Sequence, residues 1–259
     1  MTAFTSRTVA RLHPAQRDDI GDLITRRPLP GPDLPQVDPF LFLNHHGPQT
    51  YPPNNRGLPF GPHPHRGFET VTFILDGELS HADSGGGESI IGPGGVQWMT
   101  AGSGLIHAEL SPASFKREGG PMEILQLWVN LPSRLKMTAP NYVGLQAVDI
   151  PKVDLDDGRV TVEAVSGRWA GTEAPIQSLI DVQMAVVRFK AGGADFESTV
   201  VINGAVYVGR PDVLRRDRTF QSRGVRAYPM PFERGWDVDT AAEFAVCEAL
   251  FRLQTKNSR

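Results

Sequence analysis

Between residues 68 and 110, short apolar or alternating stretches are interrupted by glycine-bearing turns at intervals of about 8–12 residues. That rhythm leaves room for strands and none for helices of ordinary length. Residues 68–75 read as a strand, Asp76-Gly77 as a tight hairpin turn and 78–82 as the return strand. Turns at 84–87, 92–95 and 101–104 separate further strands at 88–91, 96–100 and 105–110, and the apolar run 123–130 closes the series. Upstream, 5–12 and 40–44 read as short strands, 28–39 is dense in turn formers, and 45–63, rich in Pro, Gly and Asn, reads as an irregular loop. The expected fold is all-β, a sandwich or barrel.

The remaining chain extends this pattern. With 259 residues there is enough sequence for one large or two medium domains. The segment 132–140 looks like a connection, which divides the chain into units at 1–140 and 141–259. Strand-like stretches recur at 159–165, 182–189 and 196–206. In 208–235 seven residues are arginine and alternation is lost. Thr240 and Glu243 then have capping-box spacing, and Phe244, Cys247, Leu250 and Phe251 share one face of an expected terminal helix over 239–253.

Composition narrows the function classes. A hydrophobic content of 40% with 21% charged residues suits a folded chain. The net charge of −3, with no regular aromatic interleaving among the arginines, argues against direct nucleic-acid binding. A lone cysteine, Cys247, allows neither an internal disulfide nor a cysteine-based zinc site. No stretch is long and apolar enough to span a bilayer, and residues 1–12 lack a basic head with an apolar run, so the expected location is cytoplasmic.

The chemistry lies in two pairs, His63 with His65 and His107 with Glu109. Residues i and i+2 of a strand point to one face, so two neighbouring strands would bring four ligands together. Three imidazoles and a carboxylate without thiolate suit Fe(II), Mn, Co, Ni, Cu or Zn, with redox-active iron the first choice. A single such pair is more often solvent-exposed, and it is the second pair, within the same strand series, that favours a metal site. Pro64 cannot donate to a ladder, which requires its strand to lie at an edge or barrel mouth.

Other candidates carry less. Ser103 lacks the glycine context of a nucleophile elbow. The Gly85–Gly87 run is followed by no lysine-threonine pair and so is not a phosphate loop. Trp98 and Met99 read as core. His45, His46 and His81 have no partner at ligand spacing, and the first two read as turn residues that could line a pocket mouth.

The stretch from His63 through Pro64, His65, Arg66, Gly67, Phe68, Glu69, Thr70 and Val71, followed by Gly77, resembles the first cupin motif. Pro93-Gly94, then Gln97 through Gly102, then His107-Ala108-Glu109 resemble the second. Together with Asp38-Pro39-Phe40 they resemble the pirin family over roughly residues 7 to 150. The resemblance implies a bicupin of two jelly-roll barrels with a short C-terminal helix, and one metal, usually iron, in the N-terminal barrel. It places the ligands on His63, His65, His107 and Glu109. In many other cupins the glutamate at the place of Glu69 is a ligand. Glu69 has the parity of the ligand face if its strand is regular, so it is a near-site candidate, with a hydrogen-bonding role at the barrel mouth equally open. The likeness thins after about residue 170 and is hard to find after Val201. A diverged domain and a shifted reading frame both remain open there, and so does the completeness of the second barrel.

Two functions follow from the resemblance. The favoured one is an iron-dependent dioxygenase similar to quercetin 2,3-dioxygenases, taking a flavonol-like aromatic substrate and dioxygen. In that reading Glu109, or a neighbouring carboxylate, accepts the substrate's hydroxyl proton, and Phe42, Phe68, Phe73 and Trp98 line the pocket. The alternative is a non-catalytic, redox-sensing iron protein that regulates a transcription factor or a metabolic enzyme.

Overall fold

The computed structural model describes residues 13–155, 158 and 160–189. The expected strands at 5–12 and 196–206, the arginine-rich stretch and the terminal helix with Cys247 lie outside the described residues. In chain order the first half contains Gln16–Arg17 (β1), Thr25–Leu29 (β2), Phe40–Tyr51 (β3), Phe60–His65 (β4), Phe68–Asp76 (β5) and Leu79–Asp83 (β6). Glu88–Ile91 (β7), Val96–Thr100 (β8), Leu105–Leu110 (β9), the helix Ala113–Glu118 (α1), Gly120–Asn130 (β10) and Asn141–Leu145 (β11) follow. The second half contributes Lys152–Leu155 (β12), Val160–Ser166 (β13), Arg168–Trp169 (β14), Thr172–Glu173 (β15) and Met184–Phe189 (β16). The all-β expectation is met, with one short helix among the described residues.

Two sheets face one another. A seven-stranded sheet runs β1-β2-β3-β10-β5-β8-β11, and a four-stranded sheet runs β4-β9-β6-β7. The side chains directed inward by the larger sheet form rows across its strands. His46, Ile124 and Ile74 make one row, Asn44, Gln126, Thr72 and Gln97 the next, and Phe42, Trp128, Thr70, Met99 and Tyr142 the third. Character therefore changes along the sandwich. One end is closed by an apolar cluster of Leu23, Tyr51, Leu58, Ile74, Leu79, Ile91, Phe115, Met122 and Ile124. Each such fully buried side chain contributes about 1.5–3 kcal/mol. Polar, then aromatic rows follow toward the other end.

The opposite face of the larger sheet is also covered. Val71, Trp98, Leu127 and Val129 pack there with Ile150, Val165, Ile176 and Met184 of the second half. That second half forms a three-stranded sheet, β12-β13-β16, and the small pair β14-β15. No helix among the described residues is long and apolar enough to cross a membrane.

Several local expectations change. Asp76-Gly77 is not a hairpin turn: β5 pairs with β10 and β8, whereas β6 pairs with β7 and β9, so the dipeptide turns the chain from one sheet to the other. Gly77 has φ 83°, and a Cβ there would stand 2.7 Å from the Pro121 carbonyl oxygen, so the corner needs glycine as a hairpin would. The turn at 84–87 does join a hairpin, β6 to β7. The stretch 45–63 is not a single loop: β3 runs on to Tyr51 and β4 begins at Phe60. β3 is paired on both sides, by β2 and β10, and those ladders hold a polar, proline-bearing segment extended.

Candidate metal centre

The two candidate ligand pairs lie on adjacent antiparallel strands. In the β4–β9 ladder His63 stands opposite His107, Pro64 opposite Ile106 and His65 opposite Leu105. β4 is the edge of its sheet, which is where Pro64 is tolerated. Alternation turns His63, His65, His107 and Glu109 to the inner face, while Ile106 points outward and is exposed.

One ring nitrogen from each of His63, His65 and His107 falls within a set whose members lie within 4.8 Å of one another. The Nε2 atoms of His63 and His107 are 3.0 Å apart. Ring centroids are separated by 4.5 Å for His63–His107, 4.8 Å for His63–His65 and 4.9 Å for His65–His107. His63 Nδ1 donates to the Gly61 carbonyl oxygen at 2.7 Å, which leaves the Nε2 lone pair directed at the cluster. Burial holds His65 down to about 4, with His63 adding to the effect. His107 is held down to about 3, by burial first and then by its histidine neighbours, against an upward pull from Asp83. Both rings are neutral at neutral pH, the form a metal ligand requires.

Glu109 lies beside this set and not within it. Its side chain is 2% exposed. Oε1 accepts from Thr72 Oγ1 at 3.0 Å and Oε2 from Gln126 Nε2 at 2.5 Å, both from the opposing sheet. Burial pushes its carboxyl up, against the pull of these donors and of His63. Three imidazole donors with a carboxylate alongside fit a divalent transition metal of nitrogen–oxygen preference. Each Glu109 oxygen accepts a single hydrogen bond and so keeps a second lone pair.

An aromatic surface adjoins the cluster. Phe42 stacks on Trp128 with centroids 4.5 Å apart, Trp128 meets Phe68 at 4.8 Å, and His65 touches Phe68 at 5.0 Å and Trp128 at 5.1 Å. Phe42 and Phe68 thus stand where a lining was expected. Phe73 and Trp98 do not: they belong to the core on the opposite face of the larger sheet.

Glu69 is not brought to the cluster. The chain changes sheets at Arg66-Gly67, so parity does not carry over from His65; Phe68 faces the histidines and Glu69 faces away. One Glu69 oxygen accepts from Thr100 Oγ1 at 2.7 Å, and burial pushes the carboxyl up. His45 and His46 are strand residues, not turn residues. His45 Nε2 lies 2.7 Å from Glu123 Oε1 on the outer side, whereas His46 is buried inside against Thr25 and Phe60.

Residues with no ligand role in the sequence complete the surroundings. His81 lies opposite Glu109, and Asp83 opposite His107, on the other flank of β9. Contrary to the expectation that His81 lacks a partner at ligand spacing, His81-Ala82-Asp83 has the same i, i+2 spacing as the candidate pairs, and that is the available signal. Thr72, Gln126 and Trp128 had none, because their relevance depends on which strands pair.

The sequence profile of the pirin family matches residues 22–129. A pirin-like protein of Caulobacter vibrioides is 45% identical over 218 residues, covering 80% of this chain and 76% of that protein. A Pseudomonas aeruginosa protein that carries the provisional name quercetin 2,3-dioxygenase is 44% identical over 156 residues, 60% of this chain. The match spans only 54% of that relative's length. Among solved structures, a quercetin 2,3-dioxygenase from Acinetobacter baumannii superposes with a TM-score of 0.61 at 37% identity, covering 68% of this chain and 62% of that one.

Proposed function

The chain belongs to the pirin family, and from that premise we propose that it is an iron-dependent dioxygenase acting on quercetin-like flavonols, its metal held by His63, His65, His107 and Glu109. The observation that carries the reading is the convergence of three imidazoles from two adjacent strands beside a buried carboxylate. Bound Fe(II) supplies Lewis acidity toward a substrate oxygen and one-electron chemistry toward dioxygen.

The protein's own groups account for the remainder. His63 is oriented by the Gly61 carbonyl, so its ligand nitrogen is presented without a rotation on binding. Glu109 is positioned by Thr72 and Gln126, and its raised proton affinity suits it to take the proton of a substrate hydroxyl. The stacked surface of Phe42, Trp128 and Phe68 offers a flat apolar wall to a planar aromatic ligand next to His65.

Oxygen uptake by the iron-loaded protein with quercetin is the test. Substrate-dependent consumption that disappears in Glu109→Gln is expected. No consumption by a fully iron-loaded sample would overturn the catalytic reading, and redox-dependent capture of a cellular partner by that sample would favour a regulator.

A further inference from the structure

The glycine run at 85–87 carries no phosphate, yet the structure gives it a task. Asp83, 3% exposed, accepts backbone N–H bonds at Oδ1 from Gly85 (2.7 Å) and Gly87 (3.1 Å). A Cβ on Gly87 would collide with Oδ2 of the same carboxylate, so the turn approaches this closely only because residue 87 is glycine. Oδ2 is held 2.8 Å from Nε2 of His81, a side chain 1% exposed. The other side of the His81 ring is fixed as well. Tyr142 stacks flat on it, with centroids 3.9 Å apart and an interplanar angle of 7°, and the Tyr142 hydroxyl is tied to Ser89 Oγ at 2.5 Å.

A buried histidine–aspartate pair is a costly way to fill space, since apolar side chains of similar volume do so without desolvating charge. Its position gives a reason. Across the β6–β9 ladder His81 faces Glu109 and Asp83 faces His107, and the His81 ring lies 5.4 Å from the His107 ring. His107 Nδ1 has no hydrogen-bond partner among the described residues, and its Nε2 meets only His63, itself a candidate ligand. Of the rings packed against His107, those of His63 and His65 belong to the candidate ligand set, and the clamped His81 ring is the one that does not.

The geometry points to His81 as a positioning residue of the metal centre, immobilised by Asp83, the glycine turn and Tyr142 so that His107 and Glu109 keep their mutual orientation. This inference rests on the proposed metal site. Ligand orientation fixed by surrounding groups commonly changes metal affinity about 10–100-fold when lost.

Co(II) serves as the probe, in the full-length protein. Gly87→Ala displaces the Asp83 carboxylate without altering any side chain near the histidines, and Asp83→Asn and His81→Gln act on the pair directly. Ile90→Ala, on the exposed side of β7, is the control. Visible absorption of the Co(II) form reads ligand geometry, competition with a chelator reads affinity, and thermal melting reads stability separately. We expect all three variants to bind one equivalent with a shifted Co(II) spectrum and an affinity lower by about tenfold or more, and the control to match wild type. Spectra and affinities superimposable on wild type, whatever the melting temperatures, would overturn the positioning role while leaving the metal site intact. A wild-type protein that binds no Co(II) would overturn both.

Discussion

His46 makes the protein's stability fall with acid in a way that one substitution should abolish. Thr25 Oγ1 donates to the Leu23 carbonyl oxygen at 3.3 Å and accepts from His46 Nδ1 at 2.8 Å, while Nε2 is buried with no partner among the described residues. Burial holds His46 down to about 4 from 6.5, with His45 and Arg27 contributing in the same direction. Its pKa in the folded state therefore lies below that in the unfolded chain, which takes up the proton first as pH drops. Stability is full above about pH 6.5 and declines down to about 4, beyond which the loss is constant. The whole gap corresponds to about 3 kcal/mol at roughly 1.4 kcal/mol per pH unit, and about 2 kcal/mol of it is lost by about pH 5. Urea denaturation of wild type and His46→Leu at about pH 7.5 and about pH 5 isolates this contribution, since every other group titrates in both proteins. The stability difference between the two proteins should shift by about 2 kcal/mol in favour of the variant at the lower pH. A difference unchanged to within about 0.5 kcal/mol would refute the claim that His46 is held neutral by burial.

Further outcomes follow from packing and from the aromatic wall. Ile124→Ala, at the middle of the apolar cluster that closes one end of the sandwich, should lower the unfolding free energy by about 2–5 kcal/mol in urea titration; a loss below about 1 kcal/mol would mean that the cluster is not tightly packed. Trp128→Leu, which removes the central ring of the Phe42–Trp128–Phe68 stack, should raise KM for quercetin by about 3–10-fold with metal content unchanged. An unchanged KM in a steady-state assay would remove the stack from substrate binding.

The strand rhythm and the facing of the two candidate pairs, His63 with His65 and His107 with Glu109, were legible because both are local. Two i, i+2 pairs declare one face of a strand from the sequence alone, and Pro64 declares an edge. What was not legible depends on pairing. Asp76-Gly77 has the chemistry of a hairpin turn, and only the partners of β5 and β6 show that it is a corner. Glu69 was misplaced for the same reason, because parity counts along one regular strand and the chain leaves its sheet at Arg66-Gly67. His45 and His46 read as turn residues because Gly47 and Pro48 follow them, yet both are paired in β3, opposite β10 on one side and β2 on the other, and the irregularity in the β10 ladder falls only after them, at Gly47 and Pro48. Trp98 read correctly as core, but its facing the second half rather than the site follows only from its register with Val71. His81-Ala82-Asp83 carried the right spacing, and its significance came from lying across β9 from His107 and Glu109.

Metal content of the purified protein tests the central claim most directly. One equivalent of transition metal in wild type, lost from both His63→Ala and His107→Ala while each variant stays folded, is the predicted result. A full equivalent retained by either variant would mean that the paired strands do not hold the ion between them.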